Sequence, residues 1–293
     1  MTAGTGRLPL RHALLALAVV AVWGTNFVVI KVALHALPPL LLAVLRFALA
    51  LLPAALFIAR PAVPWHKLAA YGVLIGAGQF GLLYLSLSGH IAPGLASLVV
   101  QIQVFFTIGL AMVADGERVR RTQWAALALA VAGIGLIAAH TGGDTTLAGL
   151  AMVLGAALSW ACGNQVARSM GRVQMLGVVV WSSAFALPPL LALSLIFEGP
   201  ARMAQGLADA DTAVWLAVVW QALGNTLFGY VAWGWLLARH PAATITPMAL
   251  LVPVFGMGAA ALLLAEGLPA WKLGAAALVM AGLALNLLGP RRA

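Results

Sequence analysis

The chain has 293 residues, of which 63% are hydrophobic and 8% charged, and its mean hydropathy is +1.05. A soluble core of this size cannot bury so much apolar surface, which excludes a soluble protein and indicates an integral membrane protein. The net charge of +9 does not indicate nucleic-acid binding, because Lys and Arg are scattered between apolar runs in the manner of membrane topology signals.

Apolar windows bounded by charges, Pro and Gly predict ten membrane spans. All are expected to be helices, because hydrocarbon offers no partner to an unpaired backbone group. The first span is too long for a signal peptide and lacks a small-residue cleavage site, so we interpret it as retained. In chain order the predicted spans are 12–34, 38–59, 67–88, 92–114, 122–139, 146–168, 175–197, 213–237, 242–264 and 270–288.

The distribution of positive charge supports this count. With a cytoplasmic N-terminus and alternating sides, 12 of the 16 Lys and Arg residues fall on inner segments, whereas the outer loops hold only Arg202. The other three, Lys31, Arg46 and Lys272, lie within or at the edge of spans. This asymmetry predicts a multi-pass protein of the inner (plasma) membrane with both termini in the cytoplasm.

The two halves of the chain resemble one another at an offset of about 149 residues. Five spans per half is an odd number, so the second copy is inverted relative to the first, as in alternating-access carriers. The predicted fold is an all-α integral membrane protein with ten transmembrane helices in two inverted five-helix repeats, residues 1–139 and 146–293, which form one domain. The pairs at that offset are His90 with His240, Glu117 with Glu266 and Gly133 with Gly282. Nearer the start of each half, Trp23 recurs as Trp160 and Asn26 as Asn164, at the shorter offsets of 137 and 138.

Amide side chains at membrane depth are candidates for a polar cavity, because each costs free energy unless it faces protein, water or a substrate. Interhelical hydrogen bonding, typically worth about 0.6–2 kcal/mol, is the alternative for any one of them. As a set they favour a cavity. The candidates are Asn26, Gln79, Gln101, Gln103, Asn164, Gln221 and Asn225.

Two tryptophans, Trp23 and Trp160, lie deep in their spans beside Asn26 and Asn164. Each ring offers either a stacking face for an aromatic or cationic group of a substrate, or simple helix packing. Both are counted among the substrate-binding candidates.

Arg46 lies eight residues inside the second predicted span, where burial costs roughly 2.5–3.5 kcal/mol on insertion scales. Three roles are open for it. It attracts a substrate carboxylate, it caps carbonyls of a broken helix as a brace, or it extends its side chain to the outer surface.

Other classes of protein lack the residues they need. No Asp or Glu is mid-span, which disfavours proton exchange for organic cations. The single cysteine, Cys162, has no metal-ligand spacing around it, and no protease, lipase or phosphate-loop motif occurs. We therefore expect a carrier rather than an enzyme or a channel, with no cofactor and no metal.

Several short motifs occur in an order that carries a family resemblance: Pro38-Pro39 through Arg46-Phe47, Gly116-Glu117, Gly133, and Pro253 with Glu266. In these the chain resembles the drug/metabolite transporter superfamily, and within it the ten-helix branch of amino-acid and metabolite exporters. The resemblance implies two inverted repeats around a central cavity and the export of small metabolites, aromatic and other neutral amino acids above all. One departure is Gln103 where the second half has Pro253, which predicts a proline kink in one copy only.

The sequence thus predicts an exporter whose partners are a small-molecule substrate and the lipid bilayer. An exporter of organic cations or drugs is the first alternative, and a membrane scaffold that transports nothing is the second. The fifth and tenth spans lack strongly polar side chains in their central parts, and Gly133 and Gly135 permit close helix approach there. These spans are expected to form scaffold or a subunit contact, which leaves a homo-oligomer open.

Overall fold

The architecture is a bundle of apolar helices joined by short connections. A computed structural model describes residues 8–115, 120–171 and 173–288, and no strand occurs in these ranges. Glu117, which the sequence pairs with Glu266, lies outside the described residues, as does Gly116. The helices are α1 (Leu10–Ala33), α2 (Pro39–Ala55), α3 (Trp65–Leu87), α4 (Pro93 to Asp115), α5 (Arg121–Ala139), α6 (Leu147–Ser169), α7 (Met175–Phe197), α8 (Gly199–Asp209), α9 (Thr212–Arg239), α10 (Ala242 to Leu263) and α11 (Ala270–Leu288).

Length and composition mark these helices as membrane spans. Within the described ranges, nine are long and apolar enough to cross a bilayer, and α2, with 17 residues, is the shorter tenth. Seventeen residues is about the lower limit for spanning the hydrocarbon. Large apolar side chains such as Phe57 and Leu262 are each 86% exposed, as expected where lipid is the solvent. The predicted all-α membrane fold is confirmed.

One helix was not predicted from the sequence. The segment between the seventh and eighth spans, expected to be a loop, forms the short helix α8. Gly206 of α8 lies so close to the start of α2 that a Cβ built on it would come within 2.6 Å of Pro38. This close approach holds α8 across the N-terminal end of α2.

The helices pack in pairs that recur between the two halves. Helix α1 packs along α9 and α10, and its counterpart α6 packs along α3 and α4. Helix α2 packs against α7, and α5 against α11. Exchanging the first five spans for the last five therefore leaves this set of contacts unchanged.

Small residues allow the close contact of α5 with α11. A Cβ built on Gly133 would lie 2.7 Å from Val279, and one built on Gly282 would lie 2.6 Å from the carbonyl of Ala126. Gly135 has no atom within 4 Å of such a Cβ, so it makes no close helix contact within the chain, and a subunit contact there stays a prediction. The close approach predicted for Gly133 occurs within one chain.

Two helices change to π-helical geometry at matching positions. The segments are Val73–Gly81 in α3 and Trp220–Phe228 in α9. The Leu74 carbonyl of α3 accepts a hydrogen bond from the Ser159 hydroxyl of α6 (2.8 Å). In α9 the Thr226 hydroxyl donates to the carbonyl of Gln221, five residues earlier (2.9 Å). Side-chain hydroxyls that bond to carbonyls favour such a departure from the α-helical ladder.

A second irregularity also occurs in both halves. Helix α4 is 3₁₀-helical at Val100–Ile102 and returns to α geometry at Gln103, and α10 is 3₁₀-helical at Thr246–Leu251 and returns at Val252. Pro253 lies in the first turn of the second α-helical part, where its missing N–H costs little. A departure from α geometry therefore occurs in both copies, and in α4 it forms without proline.

Candidate functional site

Arg46 is at the centre of a buried polar network. Its side chain is 1% exposed, and it projects from α2 toward α3 and α9. Nη1 donates a hydrogen bond to the Tyr84 hydroxyl (2.8 Å), and Nη2 donates to the Thr226 hydroxyl (3.0 Å). Extension to the outer surface, one of the three expected roles, does not occur, and the partners are side chains of other helices rather than carbonyls of a broken helix.

The network continues to Gln221 on α9. The Tyr84 hydroxyl donates to Gln221 Oε1, and the Thr226 hydroxyl donates to the Gln221 carbonyl (2.9 Å). The π geometry of α9 brings Gln221 and Thr226, five residues apart, onto the same side of the helix. Three helices are thus joined through one arginine and one tyrosine.

Aromatic rings complete the surroundings of the guanidinium. The Arg46 Cζ lies 3.7 Å from the centre of the Phe80 ring and 5.4 Å from that of Phe47. Both distances are within the range of cation–π attraction. Within the described residues no carboxylate contacts Arg46, so its positive charge is buried among hydroxyls and rings without a counter-ion.

A narrow cavity lies beside Arg46, between α2, α3, α7 and α9. The centre of a water molecule can move in a volume of about 10 Å³ there. That is room for one water molecule, and too little for an amino acid. The chain has three tyrosines, of which Tyr71 and Tyr230 line this cavity and Tyr84 binds Arg46. The lining also includes Phe80, Ser182 and Ser183.

Trp23 and Asn225, two of the predicted residues, meet at the contact of α1 with α9. The Trp23 indole N–H donates to the backbone carbonyl of Asn225 (3.1 Å). The Trp23 ring packs against Tyr230 and Trp233, at centroid distances of 6.1 and 5.2 Å. The packing role of Trp23 is therefore observed, next to a residue of the cavity wall.

Gln103 and Asn164 form a second polar group between α4 and α6. The Asn164 side-chain amide donates to Gln103 Oε1 (3.0 Å), and the Thr107 hydroxyl donates to the Gln103 carbonyl (2.8 Å). No hydrogen bond links these residues to Arg46 within the described part of the chain. Gln103 and Asn164 are thus separate from the group of Arg46 and Gln221, and the predicted residues do not form one polar site.

The other predicted residues are buried or partly buried in the bundle. Asn26 is 4% exposed on α1, and Gln79 is 5% exposed in the π segment of α3. Gln101 lies in the 3₁₀ segment of α4, and Trp160 on α6 packs against two apolar clusters. None of the four is hydrogen-bonded to Arg46.

Sequence reasoning missed Tyr84, Thr226 and Phe80. A search for amides and charges at membrane depth passes over tyrosine, threonine and phenylalanine, which are ordinary in membrane helices. The rarity of tyrosine in the chain was the available signal, because all three tyrosines lie around Arg46.

Two carboxylates near the spans have structural partners. Glu198 accepts hydrogen bonds from the backbone N–H groups of Leu40 (2.6 Å) and Leu41 (3.0 Å) at the start of α2. Glu266 accepts from the N–H of Gly94 at the start of α4 (2.9 Å) and pairs with Lys272. Both compensate the positive end of a helix, and neither contacts Arg46.

The described residues form a bundle of ten apolar helices around buried polar side chains, as in a multi-pass membrane protein. The model of the EamA-like transporter family matches the chain twice, over residues 10–139 and 147–288. The chain belongs to this family, and it is a membrane transporter, not an enzyme.

Curated relatives cover nearly the whole chain. A protein of Salmonella typhimurium strain LT2, named probable amino-acid metabolite efflux pump, is 44% identical over 94% of this chain and 95% of its own length. A protein of the same name from Escherichia coli strain K12 is 42% identical over 96% of both chains. A probable terminal-alkyne amino-acid exporter of Streptantibioticus cattleyicolor is 31% identical over 77% of this chain and 72% of its own.

A solved crystal structure shares the fold. It superposes with a TM-score of 0.65 over 96% of this chain and 97% of the other, at 21% sequence identity. At that identity the likeness supports the fold and nothing about the substrate.

Proposed function

We propose that this transporter exports amino acids and related small metabolites, and that Arg46 binds the substrate carboxylate. The observation that carries the proposal is the buried positive charge of Arg46, which has no carboxylate partner among the described residues. An uncompensated buried charge is costly, and a substrate anion would compensate it. The Salmonella and E. coli relatives, both named probable amino-acid metabolite efflux pumps, support the same class of substrate.

The lining of the cavity favours aromatic and other neutral side chains on the substrate. Four rings surround the space beside Arg46, those of Phe47, Tyr71, Phe80 and Tyr230. Aromatic rings of a substrate gain both apolar burial and ring-to-ring contact there. A second acidic group on the substrate would have no basic partner among the described residues of the lining, where Arg46 is the one cation.

Export of organic cations is the less favoured function. Arg46 would repel a cation, and Glu198 and Glu266 are engaged at helix ends rather than in the cavity. Membership in a transporter family disfavours a scaffold that transports nothing.

Two inverted five-helix repeats, residues 1–139 and 146–293, provide the framework for this activity. The two matches of the family model support that division, and so do the helix contacts that recur between the halves. The π segments of α3 and α9 and the 3₁₀ segments of α4 and α10 occupy matching positions, as expected for copies of one ancestral unit. The excess of Lys and Arg on inner segments supports an inner-membrane location with cytoplasmic termini.

Substrate moves by alternating access. The cavity beside Arg46 is too small for an amino acid in this conformation, so the helices around it must separate. The π segments, where the α-helical ladder is interrupted, are the natural points of bending. Ser182→Cys in a Cys162→Ala background tests this step. Impermeant thiol reagents should label the cysteine from each side of the membrane, and substrate should change the ratio of labelling from the two sides. Labelling from one side under every condition contradicts alternating access.

Flux from proteoliposomes tests the transport function. Vesicles loaded with labelled phenylalanine should lose it faster than protein-free vesicles, at a rate that a pH gradient does not change, because no described residue of the cavity lining carries a carboxylate. Loss of a quaternary ammonium dye but not of any amino acid would favour the cation exporter. Absence of flux for every compound would favour the scaffold.

A further inference from the structure

Several buried polar atoms of the membrane spans lack a hydrogen-bond partner. Among the described residues these include Arg46 Nε, Gln221 Nε2 and Asn26 Oδ1. Their side chains are 1%, 0% and 4% exposed. An unpaired buried polar atom costs about 1–3 kcal/mol, so unpaired atoms gathered at one level indicate a ligand that supplies the missing partners.

Two of these atoms, Arg46 Nε and Gln221 Nε2, are hydrogen-bond donors on side chains that both bond to Tyr84. The Tyr84 hydroxyl accepts from Arg46 Nη1 and donates to Gln221 Oε1, so it fixes both side chains and leaves Arg46 Nε and Gln221 Nε2 unused. Two fixed N–H donors, one of them on a cation, suit the two oxygens of a carboxylate.

The third atom, Asn26 Oδ1, is an acceptor. The packing of α1 on α9 shows which residues of α9 lie at the same depth in the bundle. His12 lies 2.7 Å from His240, and one turn on, Ala16 packs with Leu236 in one buried cluster. Trp23, further along α1, contacts α9 correspondingly nearer its start, at Asn225. The two helices are therefore antiparallel and in register.

Continuing this register places Asn26 beside the turn of α9 that holds Gln221 and Thr226. Asn26 is three residues after Trp23, so it lies on the face of α1 that packs on α9. Thr226 binds Arg46, and Gln221 is bonded to Tyr84. The unpaired acceptor of Asn26 is thus at the same level of the bundle as the two unpaired donors.

We infer that Asn26 binds the α-ammonium group of the substrate while Arg46 and Gln221 bind its carboxylate. This inference rests on the proposed amino-acid transport and specifies the substrate class as free, zwitterionic α-amino acids. Asn26 Oδ1 accepts from the ammonium as a neutral partner, which accords with a cavity lining that has no carboxylate in the described part of the chain. N-acyl amino acids and 2-hydroxy acids keep the carboxylate but replace the ammonium by a neutral amide or hydroxyl, so they lose the charge-assisted hydrogen bond to Asn26 and bind more weakly.

Competition against labelled phenylalanine flux tests this assignment, with phenyllactate as the 2-hydroxy acid of the same side chain. A hydrogen bond to a charged group predicts that phenylalanine competes about 10- to 100-fold better in the wild-type protein. Asn26→Leu removes the acceptor. The preference for phenylalanine over phenyllactate should then fall to about 1, because phenylalanine competes less well while phenyllactate is unchanged. Asn26→Asp restores an acceptor and should restore the preference.

Thr25→Val is the matched control, because the Thr25 hydroxyl bonds to the Ala21 carbonyl of its own helix (2.8 Å), and it should leave the ratio unchanged. Equal competition by both compounds in the wild-type protein, or an equal loss of both in Asn26→Leu, overturns the inference while amino-acid transport stands. Failure of every amino acid to be transported or to compete overturns the proposed function as well. If Asn26→Leu does not fold, the preference for phenylalanine over phenyllactate in the wild-type protein and in Asn26→Asp tests the inference instead.

Discussion

Arg46 Nη1 donates a hydrogen bond to the Tyr84 hydroxyl over 2.8 Å, and this bond joins the second span to the third. The same hydroxyl donates to Gln221 Oε1 on α9, so one oxygen atom connects three helices. Holding Arg46 in this way prepares its unused N–H for a ligand, since a guanidinium without fixed partners loses more side-chain entropy on binding.

Tyr84→Phe removes this connection while keeping the ring. Interhelical hydrogen bonds in membranes average about 0.6 kcal/mol and reach about 1.7 kcal/mol, so losing two should lower the free energy of unfolding by about 1–3 kcal/mol. The KM for transported amino acid should rise about 3- to 10-fold, because Arg46 is no longer held. Thermal unfolding in detergent and proteoliposome flux measure the two effects.

Tyr71→Phe is the control for that substitution, since Tyr71 lines the same cavity but does not bond to Arg46. It should change the KM less than Tyr84→Phe. Equal KM values for Tyr84→Phe and the wild-type protein would show that the Arg46–Tyr84 bond has no part in binding.

Glu198→Gln tests the contact between the junction of α7 with α8 and the start of α2. The Glu198 carboxylate accepts from the N–H groups of Leu40 and Leu41, whose helix end carries a partial positive charge. A neutral amide should weaken both bonds and lower stability by about 1–2 kcal/mol, read as a lower unfolding temperature. Asp209→Asn, on the exposed end of α8, should have no measurable effect, and a similar loss in both variants would contradict the capping role.

Gly133→Ala tests the contact of α5 with α11. The added Cβ would meet Val279 at 2.7 Å, so the helices must separate and stability should fall by about 1–3 kcal/mol. Gly135→Ala is the matched control on the same helix, where nothing lies within 4 Å, and it should be neutral or slightly stabilising. Unfolding temperatures of the two variants in detergent decide the point, and equal values would contradict the packing.

The spans could be predicted from sequence because hydropathy and charge are local properties. The seventh span, 175–197, matches α7, and the second, expected to end at residue 59, ends at Ala55. The π and 3₁₀ segments were not predictable, because they depend on contacts between helices. The hydroxyl of Ser159 in α6, for example, donates a hydrogen bond to the carbonyl of Leu74 in α3.

The site was predictable only in part, for the same reason. Arg46 could be singled out by the cost of burying it, but its partners are 38 and 180 positions away along the chain. Gln221 was identified as a polar residue at membrane depth, whereas Tyr84 and Thr226 gain their significance from the fold alone. Gln103 and Asn164, chosen by the same criterion as Gln221, form a separate pair.

The central claim is that Arg46 binds the substrate carboxylate. Competition by phenylalanine and by phenylalaninamide, which lacks the carboxylate, tests it most directly when wild-type protein and Arg46→Gln are compared against the same labelled substrate. We predict that phenylalanine competes at least about 10-fold better in the wild-type protein and that Arg46→Gln removes this preference. An undiminished preference in a folded Arg46→Gln protein, or none in the wild-type protein, would contradict the claim.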